Sequence, residues 1–209
     1  MNKIPYKERD ILFEIDHKIY TFNKTRNNKI KQSLRLEKYT EMWKLITFIL
    51  NIEAVIFVIL SIGAKNDSVF DNDYFVIISS VFSIYVILIQ YYISEQRYGE
   101  RALKAHYQQL HIEDLILSLK NLLIMNNSIE IELKGSYLTN EFNRLIYEYQ
   151  TILKNNENHS PIDFLLASEE ETGSKLLPKD FTKDNVMIYS NLIFCVLIPL
   201  IIIIVLIFT

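Results

Sequence analysis

The chain has 209 residues, half of them hydrophobic, with 22% charged and a net charge of −3. Its four isolated glycines and single cysteine exclude a Walker-type phosphate loop, a dinucleotide fingerprint, a disulfide framework and a cysteine zinc site. The charge balance gives no global pull toward nucleic acid, and a mean hydropathy of +0.12 beside so many charges means that polar and apolar residues are segregated along the chain.

From Tyr6 to Trp43 no Pro or Gly interrupts, and Ile11, Ile15 and Ile19 recur every four residues before Ile30 and Leu34. This predicts one long helix, or two, continuing into the next segment. Leu45 to Ala64 is a stretch of twenty residues with one charge, which at 1.5 Å per residue matches the ~30 Å hydrocarbon core of a bilayer. It lies behind 44 polar residues, so it reads as a transmembrane helix and not as a cleavable signal peptide. Tyr74 to Ile93 is a second, uncharged span, and Val186 to Phe208 is a third and the most apolar; together the three hold 63 residues.

Between the second and third spans the pattern is again helical. Arg97 to Met125 places Leu103, Leu110 and Leu117 at sevenfold spacing, with Ala105, Ile112 and Leu119 on a neighbouring stripe. Two apolar stripes imply burial of both between partners. A further helix is expected over Tyr137 to Leu153, after the Gly135-Ser136 break. Ser160-Pro161-Ile162-Asp163 combines an N-cap hydroxyl, proline at the first helical position and a carboxylate two residues on, so it starts a short helix through Leu166 that Gly173 ends.

Orientation follows from the basic residues. Residues 1–44 hold 11 basic against 6 acidic groups, whereas the connector Lys65 to Asp73 has one Lys against Asp67, Asp71 and Asp73. The N-terminus is therefore expected in the cytoplasm and the connector outside. Arg97, Arg101 and Lys104 after the second span, and Lys175, Lys179 and Lys183 before the third, agree with a cytoplasmic middle. Trp43, Lys44, Tyr74, Tyr91 and Tyr92 fall where interface anchors belong.

The expected fold is an all-α membrane protein: a transmembrane helical hairpin, a C-terminal third transmembrane helix and a cytoplasmic helical bundle. Its segments are a basic N-terminal helix (1–44), the hairpin (45–93), a cytoplasmic helical region (94–171), a linker (172–185) and the last span (186–209).

In this order the pieces resemble a known family. A basic helix carrying Lys18-Ile19-Tyr20 and a stretch from Arg26 to Leu36 leads to the hairpin, then YGERALKAHYQQLHIEDLILSL (Tyr98 to Leu119) and YEYQTILKNNENHSPIDF (Tyr147 to Phe164). Residues 10 to 166 in this arrangement resemble the SLATT group, the SMODS and SLOG-associating two-transmembrane effectors, and in particular its fifth family. The third span departs from a strict two-span plan. The resemblance implies an effector of bacterial antiviral defence, of the abortive-infection kind, that forms a pore or perturbs the inner membrane. It implies as well that the effector is held inactive until a partner, often a reverse transcriptase encoded nearby, signals. It marks Arg101, His106, Asn158, His159 and Asp163 as motif residues, structural or signalling.

The sharpest feature of the spans themselves is Glu53. Only eleven residues, about 16 Å of helix, separate it from Ala64, so it lies near the bilayer midplane. An ionised carboxylate there costs on the order of 3 kcal/mol and must be protonated, paired or facing water. Ser79, Ser83 and Gln90 project within about 40° of one another on the second span. One reading turns Glu53 and this stripe toward a lumen shared by several subunits; the other makes Glu53 interhelical glue bonded to Ser83 or Asn51.

Lys24, Arg26, Lys29, Lys31, Arg35 and Lys38 precede the first span and are expected to bind anionic lipid head groups. Without an aromatic platform or a nucleic-acid module, direct nucleic-acid binding is not expected. His106 and His111 lie about 140° apart on a helix and cannot share a metal. No nucleophile, base and orienting group converge, so neither an enzyme nor a cofactor is expected. The functional expectation is a homo-oligomeric membrane effector; the competing one is a non-conducting anchor or sensor that recruits a cytoplasmic partner.

Overall fold

The computed structural model describes residues 5–63, 73–127, 135–173 and 178–208. Most of the expected outer connector (65–72), and 174–177 of the expected linker with Lys175, lie outside the described residues. Six α-helices follow a 3-10 turn at Tyr6–Glu8: α1 (Ile11–Gly63), α2 (Asp73–Gln96), α3 (Tyr98–Asn127), α4 (Gly135–Lys154), α5 (Pro161–Thr172) and α6 (Lys183–Phe208). No strand occurs among the described residues.

Of the two possibilities left open for the N-terminal region, the chain takes the single helix. Asp10 caps it through a 2.7 Å bond from the Phe13 N–H to Oδ1, and with no Pro or Gly before Gly63 nothing interrupts the ladder for 53 residues. α2 and α3 are separated by one residue, Arg97, whose φ of 47° lies in the left-handed region and breaks the helical path. α5 runs six residues beyond the expected end at Leu166, because Ala167 through Thr172 are all tolerable helix residues and the first left-handed position is Gly173, φ 66°.

The helices sort into two compact units, Met1–Arg35 with Glu100–Pro178, and Leu36–Gly99 with Lys179–Thr209. The first unit packs α3, α4 and the N-terminal part of α1 around Ile15, Phe22, Ile112, Ile116, Leu119 and Leu145. Phe22 stacks on Tyr149 with ring centroids 3.8 Å apart, and the Tyr149 hydroxyl is 2.7 Å from Thr25 Oγ1, so the ring is buried and its polar tip is satisfied. Of the two apolar stripes on α3 only one enters this core: Ala105, Ile112 and Leu119 are buried, while Leu103, Leu110 and Leu117 stay about half exposed. Within this chain only one of them is covered. The stripes lie on opposite sides of a 3.6-residue helix, and one core covers only one of them.

The second unit is built from the apolar parts of α1, α2 and α6. Phe57 meets Phe75 and Phe82 across α1 and α2 with centroids 5.7 and 5.0 Å apart. Tyr85 joins α2 to α6, donating its hydroxyl to Asn191 Oδ1 at 2.6 Å and packing on Phe194. The Cys195 thiol lies 3.9 Å from the Ile46 carbonyl. Trp43, read from sequence as an interface anchor, is buried at 1% exposure, and Lys44 is exposed. The outward faces carry Phe48, Val55, Ile59, Ile84, Ile87, Ile193 and Leu197, all exposed. A contiguous apolar exterior of this kind is stable in lipid and not in water. The three helices are long and apolar enough to cross a membrane, so the third span packs beside the hairpin as part of one bundle. α6 continues through Pro199.

Candidate functional site

Each unit contains a buried polar centre that involves residues singled out from the sequence. In the spanning unit it is Glu53. Leu50 and Phe57, three residues before and four after it on α1, are both buried, so Glu53 shares the inward face of the helix. It is 4% exposed, both carboxylate oxygens are buried, and neither accepts a hydrogen bond from any described residue. Neither partner considered from sequence is bonded to it. Ser83 donates to the Ser79 carbonyl at 3.0 Å, and Asn51 Oδ1 accepts from Gln90 Nε2 at 2.8 Å. The polar set thus divides. Glu53 and Ser79 are buried, Ser83 is half-buried, and the Asn51–Gln90 pair is exposed on the apolar outer surface.

The second centre lies in the first unit, where α1 meets the turn before α5. Asp163, fully buried, accepts a bidentate pair from Arg35, at 2.7 Å from Nε and 2.9 Å from Nη2, and a third bond from the Ser160 N–H at 2.8 Å. A helix-start residue therefore also anchors the helix to α1. The other contacts repeat along the same face. Asn28 Nδ2 is 3.3 Å from His159 Nε2, Gln32 Nε2 donates to the Asn158 carbonyl, and Lys29 donates to the Glu157 carbonyl and to Gln32 Oε1. Arg101 of α3 closes the far side with a bidentate pair to the Glu157 carboxylate. The Arg101 guanidinium holds that carboxyl below its usual range.

Of the motif residues, Arg101, Asn158, His159 and Asp163 are brought together here. His106 is not: it is exposed on α3, beside Gln109 and Tyr107. The basic run before the first span is also redistributed. Arg26 pairs with Glu113, Lys31 with Glu170 and Arg35 with Asp163, and Lys29 is buried. Lys24, over the Tyr20 ring, and Lys38 face outward. The inward roles of Asn28, Gln32 and Arg35 were missed because they are polar. Their i, i+4, i+7 spacing is that of a core stripe and was the available signal. Among the described residues no group of three His, Cys, Asp or Glu is placed to hold a metal ion.

A family model matches residues 13–209, nearly the whole chain; its description is SMODS and SLOG-associating 2TM effector domain family 5, SLATT_5. The chain belongs to this family. The match reaches beyond the resemblance read over residues 10 to 166 and takes in the third apolar helix, so α6 is part of the SLATT_5 region in this chain. No curated protein and no solved structure matches the sequence.

Within this SLATT_5 domain, the turn at Glu157 to Asp163 carries a pH dependence. Burial, aided by Lys29 and opposed by Asp163, holds His159 below its ordinary value. The unfolded chain then binds the proton more readily, so stability is complete above the unfolded value of ~6.5 and declines as the pH falls through and below it. The urea midpoint of the detergent-solubilised protein should fall between about pH 7 and pH 5, and His159→Asn should flatten that part of the curve. Parallel curves for the two proteins would show that the ring does not titrate against the fold.

Proposed function

We propose that this chain is a non-enzymatic membrane effector of a bacterial antiviral system, lying in the inner membrane with its N-terminus in the cytoplasm. On a trigger from a partner it assembles into an oligomer that breaches the bilayer. Family membership supports the effector role, and the excess of Lys and Arg before the first span supports the orientation. The partner class, a reverse transcriptase, comes from the family resemblance alone.

The observation that carries the oligomer is the Asn51–Gln90 pair. Two amides exposed on an otherwise apolar spanning surface satisfy each other once, at 2.8 Å, and leave their remaining donors and acceptors toward lipid. In hydrocarbon that residual polarity favours a second copy, whose own amide pair can complete the bonds. Such association would draw the hairpins together, with Glu53 one helix face away and available to a lumen after repacking.

Reconstitution into dye-loaded liposomes tests the reading. Leakage should rise faster than linearly with protein density, and Asn51→Leu with Gln90→Leu should shift the half-maximal density up by about tenfold, the equivalent of one or two interhelical bonds. A linear dependence unaffected by the pair would overturn the assembly. Glu53→Gln addresses the lumen: an unchanged cation-to-anion permeability ratio would remove the carboxylate from the conduction path. Intact liposomes, in the presence of a partner that binds the chain, would favour the anchor reading instead.

A further inference from the structure

The first unit contains a cavity of about 280 Å³ between α1, α3 and the turn after α4, lined by Lys29, Gln32, Arg101, Lys104, Gln108 and Glu157, with Asn155 and Asn156 at the turn. It is partly open to solvent, and most of the residues around it are polar or charged. Two of its residues lack what burial demands of them.

Lys29 is 2% exposed and forms no ion pair with any described residue; its bonds go to the neutral Gln32 amide oxygen and the Glu157 backbone carbonyl. The two carboxylates that act on it from a distance are already engaged, that of Glu157 by Arg101 and that of Asp163 by Arg35. An ammonium in this position bears a desolvation cost that no contacting negative charge offsets. Gln108 is 4% exposed, lines the same cavity, and its amide makes no hydrogen bond to any described residue. Its polar atoms are not sealed off, so what completes their bonds enters through the cavity.

The lining also has the charge for such a partner. Lys29, Arg101 and Lys104 stand against Glu157, and against Glu100, which pairs with Lys104 at an exposed site where the interaction is weak. The donors come from two helices and line one space: the Lys29 ammonium with a hydrogen to spare and the Gln108 amide, with Arg101, committed to Glu157, adding positive charge at the rim. A planar carboxylate satisfies one such donor group, whereas a tetrahedral oxyanion presents acceptors in several directions at once. The volume sits near the lower end for small-ligand sites and exceeds what one such group fills.

The geometry points to a binding site for a small phosphate monoester, held by Lys29 through its phosphate and by Gln108 through an acceptor oxygen, with Arg101 and Lys104 contributing charge at the rim. The site is independent of the membrane-breaching reading, and its test does not use permeation. The full chain in nanodiscs of neutral lipid is titrated by calorimetry with inorganic phosphate, glycerol 3-phosphate, adenosine monophosphate and succinate. A phosphate monoester should bind at least about tenfold more tightly than succinate, and Gln108→Leu, which keeps the shape, should weaken it about tenfold. Lys29→Met should abolish binding; where that variant does not fold, Gln108→Leu decides. Loss of the signal in nanodiscs doped with phosphatidic acid would assign the site to a lipid head group, and persistence would assign it to a soluble ester. Absence of phosphate binding up to about 10 mM, or wild-type affinity in Gln108→Leu, would overturn the proposal.

Discussion

Asp163→Ala should lower the stability of the first unit by about 3–5 kcal/mol, one of the two largest effects expected of a single substitution in this chain. The carboxylate is fully buried, and its removal takes away the bidentate acceptor of the Arg35 guanidinium, itself 9% exposed. It also removes the acceptor for the Ser160 N–H at the start of α5. The loss should appear as a lower urea midpoint with little change in slope, followed by far-ultraviolet circular dichroism. Arg35→Met combined with Asp163→Leu should recover much of it, since an apolar pair removes both desolvation costs together. A single-variant loss under about 1 kcal/mol would mean that water reaches the pair and that it behaves as a surface ion pair.

Glu53→Leu should act in the opposite direction. Both of its oxygens are buried without a hydrogen bond in the middle of a spanning helix, so an apolar side chain of similar size should stabilise the helical bundle by about 2–3 kcal/mol. Unfolding of the reconstituted protein in rising dodecyl sulfate measures this directly. A destabilised variant would show that the carboxylate is hydrated or bonded in the membrane. A gain in stability accompanied by loss of leakage would identify a costly residue retained for activity, the usual reason for an ionisable group at that depth.

The apolar architecture was legible in the sequence because its signals are local. Twenty-residue runs give the spans, unbroken periodicity gives α1, and Ser160 to Asp163 with Gly173 brackets α5. The depth of Glu53 also follows from a fixed rise per residue. Which way Glu53 faces does not, because the face it shares with Phe57 is set by packing on Phe75 and Phe82 of α2. The basic run before the first span shows the same limit. Counting charges next to a span treats each one as available to head groups, yet Arg26, Lys31 and Arg35 meet carboxylates on α3 and α5. Asn28, Gln32 and Arg35 have the spacing of a core face, but a polar face reads as solvated unless its distant partners are known. On α3, two stripes of similar apolar content had different fates, and only the packing of α1 and α4 decided between them.

Trp43 is the sole tryptophan of the chain, and its indole is enclosed with its Nε1 unpartnered at the head of the spanning bundle. The intrinsic ultraviolet emission is therefore a built-in optical gauge of one place. Its maximum should be short-wavelength in the resting protein and move to the red when solvent enters around the ring. Stopped-flow recording of that colour change during activation could time the loosening of these helices without attaching a dye.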